Sequence, residues 1–314
     1  MINKELETLA KDYFQATLEN SPTSGVLRGY KEYFDKIEVL TQESIESEQK
    51  SLESFKSRLD SIEFSELNNR EKVTAGMLEF SLSSSFDSLA DKGWEYSAGV
   101  MGFQSYLIDI NQQIFIQDEE SADLLLKRIE LYKQLFNQIS EVQKIGLNNN
   151  KVATERNLLR TIDQLESYLN TSLDTDPLLL VNFSPQIDKN FISTWKDEAK
   201  RIIDNYVRPS VLNYLELLKN EHLPQGRPDS NPGIMWIEGG DEIYLRSLRK
   251  FTGNKNITVK EVHEIGMNEI ARLKKEFFEI GQTVFDDVKT PEEVLIKMQT
   301  EPSMRYQSKE EMIK

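Results

Sequence analysis

Apolar residues recur every three or four positions along most of this chain, the spacing that lines one face of an α-helix. No segment pairs alternating apolar and polar residues with a hairpin turn, and no repeat of a solenoid period is present. The sequence therefore predicts an all-α fold, built as an irregular multi-helical array. One stripe consists of Leu125, Ile129, Tyr132, Phe136 and Ile139, and a second of Val262, Gly266, Ile270, Leu273, Phe277, Ile280 and Val284.

Start and stop signals place the ends of the predicted helices. Thr258 with Glu261 fits a capping box, in which the side chain of each residue accepts a hydrogen bond from the backbone N–H of the other. Thr290 with Glu293 fits another. Pro209 lies inside a predicted helix and should kink it, because proline lacks the N–H and crowds the preceding turn. The predicted helices cover residues 3–20, 42–61, 66–91, 122–146, 152–170, 186–222, 241–251 and 258–284, and a further one has Pro291 at its first position.

Loops are expected at Ser21–Asp35, Gly93–Gly102 and His222–Gly240. The last is rich in Pro and Gly, and Ile234–Ile237 within it could form one short extended segment. At 314 residues the chain exceeds the usual size of a single core, so one large helical unit or two packed subdomains are both consistent with it. The predicted parts are a large helical part at 1–222, a loop at 223–240 and a smaller helical part at 241–314.

The last residues carry a helix start with little chain to follow it. Ser308 and Glu311 have the spacing of a capping box, yet only three residues follow Glu311. A frayed tail is one interpretation, because termini are often loose. The other is a cut in a longer protein, and the expectation is that the smaller part is truncated at its C-terminus.

Charge and composition exclude several classes of function. The chain has 38 Lys and Arg against 53 Asp and Glu, a net charge of -15, and no basic run interleaved with aromatics. Nucleic acid and anionic membrane surfaces are therefore poor partners. There is no cysteine, no apolar run of the length of a membrane span and no export signal at the start. As written the chain would be cytoplasmic, while an exported or lipoprotein parent stays open if a signal was removed.

Two short motifs resemble known sites. Gly239-Gly-Asp-Glu-Ile243 differs by one residue from the signature of diguanylate cyclases, but without its α/β context a helix start is favoured. His263-Glu264 is half of a zincin H-E-x-x-H motif, in which the second histidine position holds Met267. The only other histidine is His222, so no metal site or cofactor is expected in this chain.

A more specific resemblance rests on several segments in a fixed order. Their order and spacing resemble domain-of-unknown-function family 885, and the likeness covers nearly the whole chain. The segments are Leu18–Gly25, Met101–Leu107, Ala122–Arg128, Ile203–Tyr214, Leu223-Pro224, Gly233–Gly240, Tyr244–Arg249 and Ile257–Gly266.

That family resembles zinc metallopeptidases of the gluzincin type, similar in architecture to thimet oligopeptidase and neurolysin. By this resemblance, the chain corresponds to the N-terminal half, one side of a deep cleft. The zinc ligands would lie beyond Lys314, in a missing C-terminal half, so no catalytic residue and no metal ligand carries over. The expected function is a zinc-peptidase fragment that positions a peptide substrate and is inactive alone. The alternative is a non-catalytic all-α binding or scaffold module.

The resemblance places the turn from Gly239 and Gly240 to Tyr244 at the cleft. The family has a pair of tyrosines where this chain has Ile243 before Tyr244, so any role of the first tyrosine is in doubt. Trp236, on the other side of the same loop, would supply an apolar wall. The competing interpretation is that Trp236 and Tyr244 are buried core aromatics, as large aromatics usually are.

Overall fold

A computed structural model describes residues 3–99 and 101–313, and it is helical almost throughout. The all-α prediction is confirmed. Among the described residues, no helix combines the length and the apolar character needed to cross a bilayer. The helices are α1 Lys4–Asn20, α2 Pro22–Leu27, α3 Gln42–Asp60, α4 Asn69–Asp91, α5 Ser105–Asp109, α6 Glu119–Asn148, α7 Glu155–Leu169, α8 Lys189–Ile202, α9 Arg208–Leu217, α10 Gly240–Thr252, α11 Val259–Val284, α12 Pro291–Thr300 and α13 Lys309–Ile313.

One small sheet joins two loops. Its strands are β1, Phe115–Ile116, and β2, Asn182–Phe183, which pair in parallel with Phe115 opposite Asn182. Each strand has two residues, too few for a period-two pattern to show in the sequence.

The chain packs as two compact units, Met1–Tyr244 and Leu245–Lys314. The division predicted from the Pro and Gly content of the loop at 223–240 stays a prediction. We call the two units the large unit and the small unit.

Helix α6 is the centre of the large unit. Its predicted stripe is fully buried, and it packs against α8 and α9. The indole Nε1 of Trp195 donates to the carbonyl oxygen of Ala122 at 2.8 Å, which fixes α8 on the start of α6. A second, smaller apolar cluster joins α1, α3 and α4 through Leu9, Leu52 and Leu82.

The predicted helix at 186–222 is helical but not uniform. It consists of α8, a π-helical turn at Ile203–Val207, α9 and a second π-helical turn at Leu218–His222. Pro209 is the second residue of α9 and follows the first π turn. The missing N–H of proline favours such a departure from α-helical hydrogen bonding.

Three local predictions need correction. Ile234–Trp236 is a 3-10 turn rather than an extended segment, because the N–H of Ile237 bonds back to Ile234 at 3.1 Å. The loop predicted at Ser21–Asp35 contains α2. Ser308 accepts from the N–H of Glu311 at 3.2 Å, but the Glu311 carboxylate accepts from Gln307 instead of Ser308. The box is therefore only half formed there.

The small unit contains α11, α12, α13 and most of α10. Thr258 and Glu261 form the complete predicted capping box at the start of α11. Where Gly281 meets α12, a Cβ on the glycine would lie 2.4 Å from a methyl carbon of Val294. The second predicted stripe forms a helix but is largely exposed: Ile270, Leu273, Ile280 and Val284 are each more than half exposed.

Candidate functional site

The predicted site residues lie on a tight turn that two glycines make. Gly239 has φ +71°, a left-handed conformation that glycine adopts without strain. A Cβ on Gly240 would lie 1.8 Å from the carbonyl oxygen of Ile234, so a side chain there would collide with backbone. The N–H of Gly240 donates to Ile237 at 3.0 Å, and that of Ile243 to Gly239 at 3.1 Å. The turn is therefore compact and hydrogen-bonded.

Both predicted aromatics on this turn are accessible to solvent. Trp236 is 51% exposed and Tyr244 is 41% exposed, so the interpretation of both as buried core residues is wrong. The neighbours Ile237 and Ile243 are buried and anchor the turn instead. Helix α10 begins at Gly240 with Asp241 and Glu242 in its first turn, which confirms the helix-start interpretation of the Gly-Gly-Asp-Glu motif.

A cavity of about 390 Å³ adjoins the turn, and we call it the Arg227 cavity. Ile234 and Ile237 belong to its lining, whereas Trp236 and Tyr244 do not. The turn thus contributes apolar side chains to the cavity and aromatic side chains to the surface. The lining consists of Tyr96, Ser97, Ala98, Gly99, Met101, Gly102, Val152, Ala153, Asn157, Arg227, Pro232, Ile234 and Ile237.

Arg227 holds the loop before the turn against the start of α7. Its N–H donates to Ala153 at 3.1 Å, and its carbonyl oxygen accepts from Glu155 at 2.8 Å. Its guanidinium Nε donates to the Val152 carbonyl at 2.8 Å, and Nη1 donates to the carbonyls of Asn231 and Gly233 at 2.9 and 2.7 Å. Partial burial lowers the pKa of Arg227, since a charged group loses hydration there.

No carboxylate pairs with Arg227 within the part of the chain that the structure describes. The nearest acid along the sequence, Asp229, pairs with Arg156 at 2.6 Å. Two other cations with little exposure do have acid partners: Arg208 lies 3.0 Å from Asp176, and Lys151 lies 3.1 Å from Glu95. Arg227 is therefore a partly buried cation held by backbone oxygens.

Another wall of the Arg227 cavity is a glycine-containing loop. A Cβ on Gly102 would lie 2.5 Å from the carbonyl oxygen of Ser97, and the N–H of Gly102 donates to Gly99 at 2.7 Å. The side-chain Nε2 of Gln104 donates to the same carbonyl oxygen of Gly99 at 2.6 Å and to the side-chain oxygen of Gln164 at 2.8 Å. Both walls thus rest on positions where a larger residue would collide with backbone.

Sequence reasoning missed Arg227 and Asn157. Neither belongs to a periodic pattern or a known motif. The available signal was weak: Arg227 lies between Gly226 and Pro228, which indicate a turn but do not single out the arginine.

The histidine motif does not form a metal site within the described residues. His263 and Met267 are exposed on α11, and His222 is buried with Nε2 3.3 Å from the Gln143 carbonyl oxygen. Over residues 3–99 and 101–313, no group of three or more His, Cys, Asp or Glu side chains is placed to hold a metal ion.

Fold and site together define an all-α protein with an exposed aromatic turn beside a cavity. The chain belongs to the family described as bacterial protein of unknown function, DUF885, whose model matches residues 22–314. No curated protein matches the chain.

A solved structure shares this fold. It is a crystal structure described as "the putative lipoprotein from Colwellia psychrerythraea", with a TM-score of 0.80 and 18% sequence identity. The match covers 98% of this chain and 56% of that chain, so this chain spans about half of its length.

Proposed function

We propose that this chain forms one wall of the substrate cleft of a zinc-dependent peptidase and positions a peptide there. Zinc would be held by polypeptide outside this sequence. The described residues do not suit a zinc site, because no group of three or more His, Cys, Asp or Glu side chains among them is placed to hold a metal ion. No chemical step is therefore assigned to any residue of this chain.

The observation that carries the proposal is the exposed pair Trp236 and Tyr244 on a turn fixed by Gly239 and Gly240. An exposed indole offers an apolar face, and an exposed phenol offers a hydrogen bond to a peptide group. A rigid turn presents both with little loss of conformational entropy on binding. A peptide lying across the turn would use both.

The exposed stripe on α11 supports the proposal that polypeptide outside this sequence packs against this chain. Ile270, Leu273, Ile280 and Val284 lie on one face of this helix and are each more than half exposed. The similar structure is longer than this chain, which covers 56% of it. In a longer protein, further polypeptide would cover the stripe.

The first experiment compares this chain with the product of the longer reading frame. If the reading frame continues past Lys314 with a His-Glu zinc motif, that product should bind one zinc and cleave fluorogenic peptides. This chain alone should do neither after dialysis against zinc. Absence of peptide cleavage by the longer product would favour the alternative, a non-catalytic helical binding or scaffold module.

The second experiment tests the turn itself. In the longer product, Tyr244→Phe removes the hydroxyl of a tyrosine that is 41% exposed, so the melting temperature should hardly change. The rate of peptide cleavage should fall by about tenfold, because the variant loses one hydrogen bond to the substrate. Tyr206→Phe is the control. Tyr206 is partly buried and lies far from Tyr244 in the sequence, so this variant should keep the cleavage rate of the parent. Equal activity of the Tyr244→Phe variant and the parent would remove Tyr244 from the site.

A further inference from the structure

We propose that the Arg227 cavity binds a carboxylate group of a peptide, with the Arg227 guanidinium as the pairing cation. That the ligand is a peptide rests on the proposed function. That the ligand group is a carboxylate rests on the cavity itself.

The charge of the lining points to an anion. The chain carries 53 Asp and Glu, yet no described residue of this lining is acidic and its one charged side chain is Arg227. Four other cavities on the chain each include at least one Asp or Glu. An incoming carboxylate would therefore be attracted to Arg227 and would meet no acidic side chain in the described lining.

The guanidinium has donors to spare. Nε and Nη1 bond three backbone carbonyls, which leaves Nη2 without a hydrogen bond among the described residues. A partly buried cation without an anion is unfavourable, and a carboxylate would relieve this cost. The three carbonyl bonds also fix the plane of the guanidinium before the ligand arrives, so little side-chain entropy is lost on binding.

A second donor lies in the same lining. Asn157 is exposed at the start of α7, where its backbone N–H bonds the hydroxyl of Thr154 at 3.3 Å. Its side-chain amide has no hydrogen bond among the described residues and lies 3.9 Å from the Cβ position of Gly99. The first turn of a helix adds partial positive charge, which also favours an anion.

The remaining lining suits an apolar group next to the carboxylate. Val152, Ala153 and Ile237 are buried, and Ile234 lies beside them in the lining. A volume of about 390 Å³ has room for one or two amino-acid residues. The C-terminal residue of a peptide and an internal acidic residue both offer this chemistry.

Peptide binding to this chain, measured by calorimetry, separates the two sources. Four versions of one peptide carry a free or an amidated C-terminus, combined with an internal Glu or Gln. Removal of the carboxylate that binds should weaken affinity by about tenfold or more. Equal affinity of all four peptides would overturn the proposal.

Butyrate serves as a probe that does not depend on the proposed function. If butyrate binds but the longer product does not cleave peptides, the carboxylate site in the Arg227 cavity is supported and the proposed peptidase function is refuted. If neither butyrate nor any of the four peptides binds, the cavity proposal is refuted.

Two variants test the residues without disturbing the fold. Asn157→Asp is nearly isosteric, and an acid at the start of a helix is tolerated, but it puts a negative charge in the lining. Binding of butyrate should fall by about tenfold or more. Arg160→Gln removes an exposed arginine of α7 that lies outside the lining, and it should bind like the parent chain. Undiminished binding by Asn157→Asp would refute the proposed site.

Discussion

Helices α6 and α11 carry apolar stripes of the same spacing and end up in opposite surroundings. In the large unit, every residue of the α6 stripe is fully buried. In the small unit, most of the α11 stripe is exposed. The same pattern thus forms a helix in both places, but burial depends on which other elements are present to cover the face.

The two units also differ in how much core they possess. The large unit has two apolar clusters around α6 and around α1, α3 and α4. In the described part of the small unit, the buried side chains are those of Val288 and Val294. Because burial of apolar area is the main stabilising contribution, the large unit should supply nearly all of the chain's stability.

The largest expected difference comes from truncating one residue of each stripe. Phe136→Ala in α6 removes a fully buried ring and should lower the free energy of unfolding by about 3–5 kcal/mol. Leu273→Ala in α11 removes a side chain that is 52% exposed and should change it by about 0.5 kcal/mol or less. Urea unfolding followed by circular dichroism measures both. A loss above 2 kcal/mol for Leu273→Ala would show that the stripe is covered in solution, on the scale of about 2–5 kcal/mol for buried Leu→Ala changes.

A pair of helical glycines should respond in opposite directions. A Cβ on Gly146 of α6 would lie 2.0 Å from the carbonyl oxygen of Glu95, so Gly146→Ala should destabilise by about 1–3 kcal/mol. A Cβ on Gly266 of α11 meets nothing within 4 Å, so Gly266→Ala should stabilise by up to about 1 kcal/mol through helix propensity. Thermal unfolding gives the sign of each change. If Gly266→Ala destabilised the protein, another part of the protein would have to lie close to Gly266 in solution.

Periodicity and capping explain why most of the fold could be predicted. The predicted helices match the observed ones to within a few residues, because stripes and caps such as Thr258 with Glu261 are encoded locally. The short strands at Phe115 and Asn182 and the 3-10 turn at Ile234 could not be predicted in this way. They depend on contacts between residues far apart or on a single turn.

The site could be predicted only in part, for the same reason. The turn at Gly239 and Gly240 was visible because consecutive glycines indicate special backbone geometry. Whether Trp236 was buried could not be decided from residue type, since exposure depends on which side chains of the turn pack inward, here Ile237 and Ile243. The cavity was invisible because Asn157 and Arg227 meet only in the fold.

The two units can also be compared by how their stability depends on pH, because each contains one histidine. Burial lowers the pKa of His222 below its ordinary value of about 6.5. Below about pH 6.5 the unfolded chain therefore binds more protons than the folded chain, and stability falls as the pH drops from there toward the lower folded pKa. His222→Gln should remove this part of the loss. His263→Gln, on the exposed face of α11, keeps the buried histidine and should keep the slope. Urea midpoints between pH 5 and 8 provide the measurement, and identical slopes for the two variants would contradict the assignment.

The smallest effect on stability is expected from making the α11 stripe polar. Ile270→Gln with Leu273→Gln introduces a good helix former at both positions and removes two exposed apolar side chains, so the free energy of unfolding should change by about 0.5 kcal/mol or less. The change should instead appear as weaker binding of a hydrophobic dye and less self-association, because exposed apolar faces promote both.

Val73→Gln with Met77→Gln is the matched control, since these residues are exposed on α4 of the large unit. If the stripe is the main adhesive surface, the control keeps the dye response and the sedimentation of the parent chain, whereas the α11 variant loses them. The opposite result would mean that the difference between the two units lies only in their cores and not in their surfaces. The exposed stripe would then give no reason to expect further polypeptide on α11, and the proposal of a complementary half would rest on the length of the similar structure alone.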